Sequence, residues 1–105
     1  MKNKKTTPGI DAIADRANEA ANMLKLLANP RRLMILCYLT KGEKSVGELA
    51  ELLDLSHSAL SQHLSLMRGQ NLVEYRKQGQ QVLYRLASPE VSAILSTLYL
   101  IYCRD

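Results

Sequence analysis

No apolar run in this 105-residue chain approaches the roughly 20 residues that span a bilayer, so no membrane-crossing helix is expected. Met1 to Lys5 is basic, but polar residues follow it rather than an apolar stretch, so no secretory leader is expected and the chain reads as cytoplasmic. In a reducing compartment its two cysteines are not expected to form a permanent staple. The sequence also lacks a Gly-rich phosphate loop, an evident pair of catalytic carboxylates and a Ser-His-Asp order with supporting context. Ser58, Ser61 and His63 fall together on one predicted helix, but no third orienting group accompanies them. An enzyme is therefore not expected. There is no internal repeat and no low-complexity segment.

The length fits one domain, and a lone chain this short buries a modest fraction of its surface. Hydrophobic residues make up 47%, which argues against disorder over most of the chain. The formal charge of +4 and pI of about 9.2 suit a polyanionic partner, but they equally suit a solvated basic surface. Placement of the charges has to decide between them.

Residues 1–9 are polar, end in Pro8-Gly9 and read as a loose tail before a domain over 10–105. Ile10, Ile13, Ala17, Ala20, Leu24 and Leu27 recur at helical spacing and predict one long, thinly apolar helix. Such a helix usually needs a partner to lie against. Asn29-Pro30 restarts the chain with an N-cap residue and a proline at the first helical position. That helix carries Leu33, Leu36, Cys37 and Leu39, and Gly42 stops it. Ser45-Val46-Gly47-Glu48 forms a capping box that opens a short helix with Leu49, Leu52 and Leu53. Asp54-Leu55-Ser56 is a turn, and Ser56 caps a further helix from about His57 to Gly69, with Leu60, Leu64 and Met67 as its buried stripe. Leu72–Arg76 and Val82–Leu86 then read as strands joined by a loop over Lys77–Gln81. Ser88-Pro89-Glu90 opens a broadly apolar last helix.

The predicted order is α-α-α-α-β-β-α: mainly α with a two-stranded β-wing. Two short helices joined by a tight turn, then a basic hairpin, describe a winged helix-turn-helix. The helix from His57 would be the recognition helix. Its outward face carries Ser58, Ser61, Gln62 and Ser65, which are polar, uncharged and short. That face suits hydrogen bonding to base edges in a major groove, with Gln pairing well to adenine. An ordinary solvated face would be richer in Lys and Glu, and neither occurs between Asp54 and Arg68. Ser56 and His57 lie at the start of this helix, and His57 suits a base or phosphate contact. His63 suits local packing or capping as well as a DNA contact. Arg76, Lys77 and Arg85 in the hairpin, with Arg68, suit phosphate contacts that position without specifying. Arg31 and Arg32 either touch phosphate or cover surface with their stems.

Three segments, Leu26-Leu27-Ala28-Asn29-Pro30-Arg31-Arg32-Leu33, Ser45-Val46-Gly47-Glu48-Leu49 and Ser58-Ala59-Leu60-Ser61-Gln62-His63-Leu64, resemble the ArsR/SmtB family of bacterial repressors. The resemblance covers about Ala17 to Cys103. It implies a homodimer paired through the first and last helices, with two recognition helices on a palindromic DNA operator. Where the arsenic and cadmium branches carry a Cys-x-Cys pair, this chain has Ser45 and Gly47. Where zinc branches use Asp and His on the last helix, Ser88 to Asp105 holds no His and only Glu90 and Asp105 as acids. Two thiols and two histidines in the reading head make no tetrahedral set, so neither a metal nor another cofactor is expected.

Cys37, within Ile35-Leu36-Cys37, and Cys103, at the end of Leu98-Tyr99-Leu100-Ile101-Tyr102-Cys103, resemble the persulfide-sensing branch of that family. By spacing alone Cys37 is a small buried hydrophobe and Cys103 an incidental thiol. The resemblance implies instead a dithiol switch that answers reactive sulfur species or an oxidant. One thiolate takes sulfur from a donor, and the second resolves it into a disulfide or a bridge with extra sulfur atoms. The alternatives are a redox-insensitive or metal-responsive repressor of the same fold, or a sulfur carrier, which would leave the wing and the small polar face unexplained.

Overall fold

The computed structural model describes residues 8–103. Residues 1–7 of the expected tail and Asp105 lie outside the described residues. The helices are α1 (Pro8–Asp15), α2 (Ala17–Leu27), α3 (Pro30–Leu39), α4 (Val46–Leu53), α5 (His57–Gly69) and α6 (Pro89–Tyr102). The strands are β1 (Lys44–Ser45), β2 (Val73–Gln78) and β3 (Gln81–Leu86). Among the described residues no helix is long and apolar enough to cross a membrane.

The long first helix expected from periodicity is two helices. Arg16 leaves the helical region at φ −122° and ψ 20°, between α1 and α2. Its guanidinium grips Glu19 with two hydrogen bonds of 2.9 and 2.7 Å. The apolar spacing runs through the break, so periodicity does not register it. Helix α1 also begins at Pro8, inside the stretch expected to be tail.

The other helix starts follow their caps. Asn29 Oδ1 accepts from the N–H groups of Arg31 and Arg32, each at 3.0 Å. At Ser45 both arms of the capping box form: its hydroxyl accepts from Glu48 N–H at 3.0 Å, and its own N–H donates to Glu48 at 2.9 Å. Ser88 accepts from Val91 N–H at 3.1 Å. Helices α4 and α5 are closed by left-handed residues other than glycine, while Gly42 (φ 129°) follows the end of α3. Asp54 (φ 52°) ends α4, and the Leu55 N–H reaches back to the Ala50 carbonyl at 3.0 Å. Asn71 (φ 61°) ends α5, and the Leu72 N–H reaches the Met67 carbonyl at 2.9 Å. Both are Schellman-type closures, and the first makes the turn between α4 and α5 tight.

The sheet has three strands, in the order β1-β3-β2, rather than two. The extra strand is only Lys44–Ser45, which pairs antiparallel with Tyr84 and Leu83 of β3. Strands β2 and β3 run longer than expected and pair from Val73↔Leu86 to Gln78↔Gln81. The loop is thereby two residues, with Gly79 at φ 63° in its first position, where a type II′ hairpin takes glycine. The predicted strand pair is otherwise the wing.

One core joins these parts. Leu60, Leu64 and Met67 of α5 are fully buried against Ile35 and Leu36 of α3, Leu49 of α4, Val73 of β2 and Val91 of α6. Leu52 of α4 is exposed, whereas Leu49 is fully buried. Three helices keep apolar faces open: Ile10, Ile13 and Leu24 on α1 and α2, and Tyr99 to Tyr102 at the end of α6.

Candidate nucleic-acid interface and dithiol groove

Burying Leu60, Leu64 and Met67 turns the opposite side of α5 outward. Ser58, Ser61, Gln62 and Ser65 are presented there, on one continuous face. Leu66 stands beside them, also exposed, although periodicity did not single it out. An apolar side chain in that position suits contact with a thymine methyl group. His57 is exposed at the first helical position. Ser56 is occupied locally, because its hydroxyl caps the helix by accepting from Ala59 N–H at 3.1 Å.

His63 turns inward, taking the packing alternative. Its Nδ1 lies 3.5 Å from the Arg32 guanidinium, which also donates to the Leu26 carbonyl at 2.7 Å. Burial pushes the imidazole pKa down, and the charges of Arg32 and Arg31 push it further. The Arg32–His63 contact, with the Arg32 bond to Leu26, thus joins α5 to the α2–α3 corner. Arg32 is a structural clasp, and Arg31 is exposed.

The hairpin cations divide by strand face. Alternation along β2 puts Tyr75 and Lys77 on one side and Glu74 and Arg76 on the other. Tyr75 packs on Tyr84 with ring centroids 5.4 Å apart, and the Arg68 guanidinium sits 4.9 Å from the Tyr75 ring centre. Lys77 therefore shares the recognition-helix side with Arg68. Arg76 is instead bound to Glu43 by two hydrogen bonds of 2.8 and 2.9 Å, and Arg85 to Glu74 at 2.6 Å. Those two arginines, expected as phosphate contacts, are held by carboxylates here.

Cys37 and Cys103 are both free thiols. Cys37 is half-buried and lines an open groove of about 670 Å³ between α3 and α6, walled by Met34, Tyr38, Leu95 and Tyr99. Cys103 is exposed at the C-terminal cap of α6, where its N–H donates to the Tyr99 carbonyl at 2.8 Å. Burial raises the Cys37 pKa, and the nearby charge of Cys103 raises it further. The two thiols are 66 positions apart in sequence and lie on α3 and at the end of α6. Among the described residues no cluster of three or more His, Cys, Asp or Glu side chains could hold a metal ion.

The fold is that of the winged helix-turn-helix transcriptional regulators. Residues 29–75 match the family model for the bacterial regulatory proteins of the arsR family. The chain is 51% identical over 86 residues to the transcriptional activator HlyU of Vibrio cholerae serotype O1, covering 82% of this chain and 80% of that protein. The structure of reduced HlyU from Vibrio cholerae superposes with a TM-score of 0.83 at 47% identity, over 89% of this chain and 98% of that one. The transcriptional repressor BigR from Xylella fastidiosa also gives 0.83, at 40% identity over 90% and 97% of the two chains. A homodimeric winged helix-turn-helix DNA-binding domain from Mycobacterium bovis gives a TM-score of 0.73 at 28% identity, over 94% of this chain and 89% of that one. The chain belongs to the arsR family of bacterial transcriptional regulators.

Proposed function

We propose that the protein is a homodimeric operator-binding repressor whose DNA affinity is switched by a reversible link between Cys37 and Cys103. The observation that carries this reading is that Cys37 lines the groove between α3 and α6 while Cys103 caps the end of α6. The start of α3 is in turn joined to the recognition helix through Arg32 and His63. A link that shifts α3 against α6 acts on α5 through that clasp. The open apolar faces of α1, α2 and α6 supply a surface for a second copy of the chain. Two such copies would set their α5 helices into successive major grooves, about 34–36 Å apart. The homodimeric Mycobacterium bovis relative and the repressor BigR support the dimer and repressor parts of this reading.

The exposed Cys103 meets the sulfur donor first. Its thiolate attacks the sulfane sulfur of an organic hydropersulfide, forming a Cys103 persulfide and releasing the donor's thiolate. Cys37, which burial keeps protonated to higher pH, loses its proton to solvent and attacks the inner sulfur. The Cys37–Cys103 disulfide forms and hydrosulfide leaves. Two thiols are oxidised, and the sulfane sulfur is reduced. Peptide mapping after polysulfide treatment should recover a linked Cys37–Cys103 pair that thiol reductants release; unmodified thiols alongside retained DNA binding would reject the switch.

On the DNA side, Ser58, Ser61, Gln62 and Ser65 read bases, His57 contacts base or phosphate, and Arg68 and Lys77 contact phosphate. Lys77→Ala is expected to weaken operator and random DNA alike and to flatten the log–log salt dependence by about 0.9 for each phosphate it no longer neutralises. Anisotropy titrations over a salt series measure this, and an unchanged slope would show that Lys77 does not touch the backbone. Ser45 and Gly47 offer no thiols for a metal, so zinc or cadmium at modest concentration should not release DNA from the reduced protein. Stoichiometric, tight zinc binding with operator release would favour the metal-responsive alternative.

A further inference from the structure

The two faces of the β2–β3 wing differ in net charge. On the recognition-helix face, Arg68 and Lys77 belong to no ion pair among the described residues. On the opposite face Arg76 and Arg85 are each matched by a carboxylate, Glu43 and Glu74, so four charges sum to zero. Glu43 comes from the connection between α3 and β1, 33 positions before Arg76 in sequence. It meets Nε and a terminal nitrogen of the guanidinium at once, the two-pronged geometry with which arginine would otherwise take a phosphate.

We propose that Glu43 is an affinity-setting residue that withholds Arg76 from the DNA backbone and so limits sequence-independent binding. The inference rests on the reading of the wing as a DNA contact. A guanidinium held by a carboxylate gains little by moving to a phosphate. It exchanges one anion for another, and the freed carboxylate then repels the DNA. A cation already neutralised within the protein also displaces no counterion from the duplex. The consequence reaches the thiol switch. A link that weakens binding by a fixed factor empties the operator only if the reduced complex is not held too tightly by sequence-blind contacts. Neutralising the outer wing face keeps affinity within that range.

The test compares wild type, Glu43→Gln, Arg76→Gln and the double variant on operator and random duplexes across a salt series. Glu43→Gln removes one partly buried charge without changing side-chain size. It should strengthen binding to both duplexes by a similar factor, several-fold or more at about 0.1 M salt. It should also steepen the salt slope by about 0.9 for each protomer whose Arg76 reaches a phosphate. The double variant should return to the wild-type affinity and slope. An unchanged Glu43→Gln slope would overturn the proposal. So would a gain that persists in the double variant, because the effect would then be general charge and not release of Arg76. If wild type binds neither duplex, the DNA-binding reading itself fails and this inference falls with it; that outcome is distinct from wild-type binding that Glu43→Gln leaves unaltered.

Discussion

Cys37→Ser and Cys103→Ser are each expected to bind operator as the reduced wild type does and to keep it after polysulfide treatment. In wild type the same treatment should weaken binding by the roughly 5- to 150-fold typical of about 1–3 kcal/mol of coupling between sites. Either substitution abolishes that response, because a persulfide on one residue has no resolving partner on the other. The variants should differ in what remains. Cys37→Ser leaves the exposed Cys103 free to carry a persulfide, visible as added sulfur in the intact mass. Cys103→Ser leaves only the half-buried thiol with the raised pKa, so it should be modified more slowly at neutral pH. If the cysteines are merely structural, Cys103→Ser will behave as wild type does under the same treatment, and Cys37→Ser will show only the stability cost of a hydroxyl near the core. Operator titrations of treated and untreated variants distinguish the cases.

Gln62→Ala carries the second large effect. Gln62 lies at the centre of the outward α5 face, flanked by serines short enough to let the helix approach the groove floor. A glutamine there can bond an adenine edge through two hydrogen bonds, and removing such a pair costs about 1–3 kcal/mol of discrimination. The operator-to-random affinity ratio should therefore fall by about 5- to 150-fold, with the salt slope unchanged because the same phosphates stay neutralised. Leu64→Ala, on the buried side of the same helix, would instead lower the melting temperature. A Gln62→Ala protein that still separates operator from random DNA as well as wild type does would remove Gln62 from base reading.

Much of this arrangement is legible in the sequence because its causes are local. The caps at Asn29, Ser45, Ser56 and Ser88 each act within three residues of themselves, and each starts a helix where the residue type indicates. The burial of Leu60, Leu64 and Met67 follows from one helical period, and that burial alone orients the serine and glutamine face. What escapes the sequence depends on distant partners. Arg76 and Arg85 read as free cations until folding brings Glu43 and Glu74 against them. His63 stays ambiguous until Arg32, 31 positions earlier, is found beside its ring. Strand β1 is two residues long and exists only because β3 offers an edge. The break at Arg16 lacks both proline and glycine, and the apolar spacing continues across it. The dithiol pair is a middle case. Spacing alone makes Cys37 a core filler, the family resemblance pairs it with Cys103, and the fold leaves Cys37 half-buried on a groove and Cys103 exposed at the end of α6.

The central claim is that one protein binds operator when its thiols are free and releases it when they are linked. One preparation carried through three states tests this most directly: reduced, treated with polysulfide, then reduced again, with operator affinity and the state of Cys37 and Cys103 measured at each step. The expected result is tight binding with free thiols, weak binding with a Cys37–Cys103 link, and tight binding restored as the link disappears. Operator affinity that stays constant through all three states while the link forms and breaks would contradict the account.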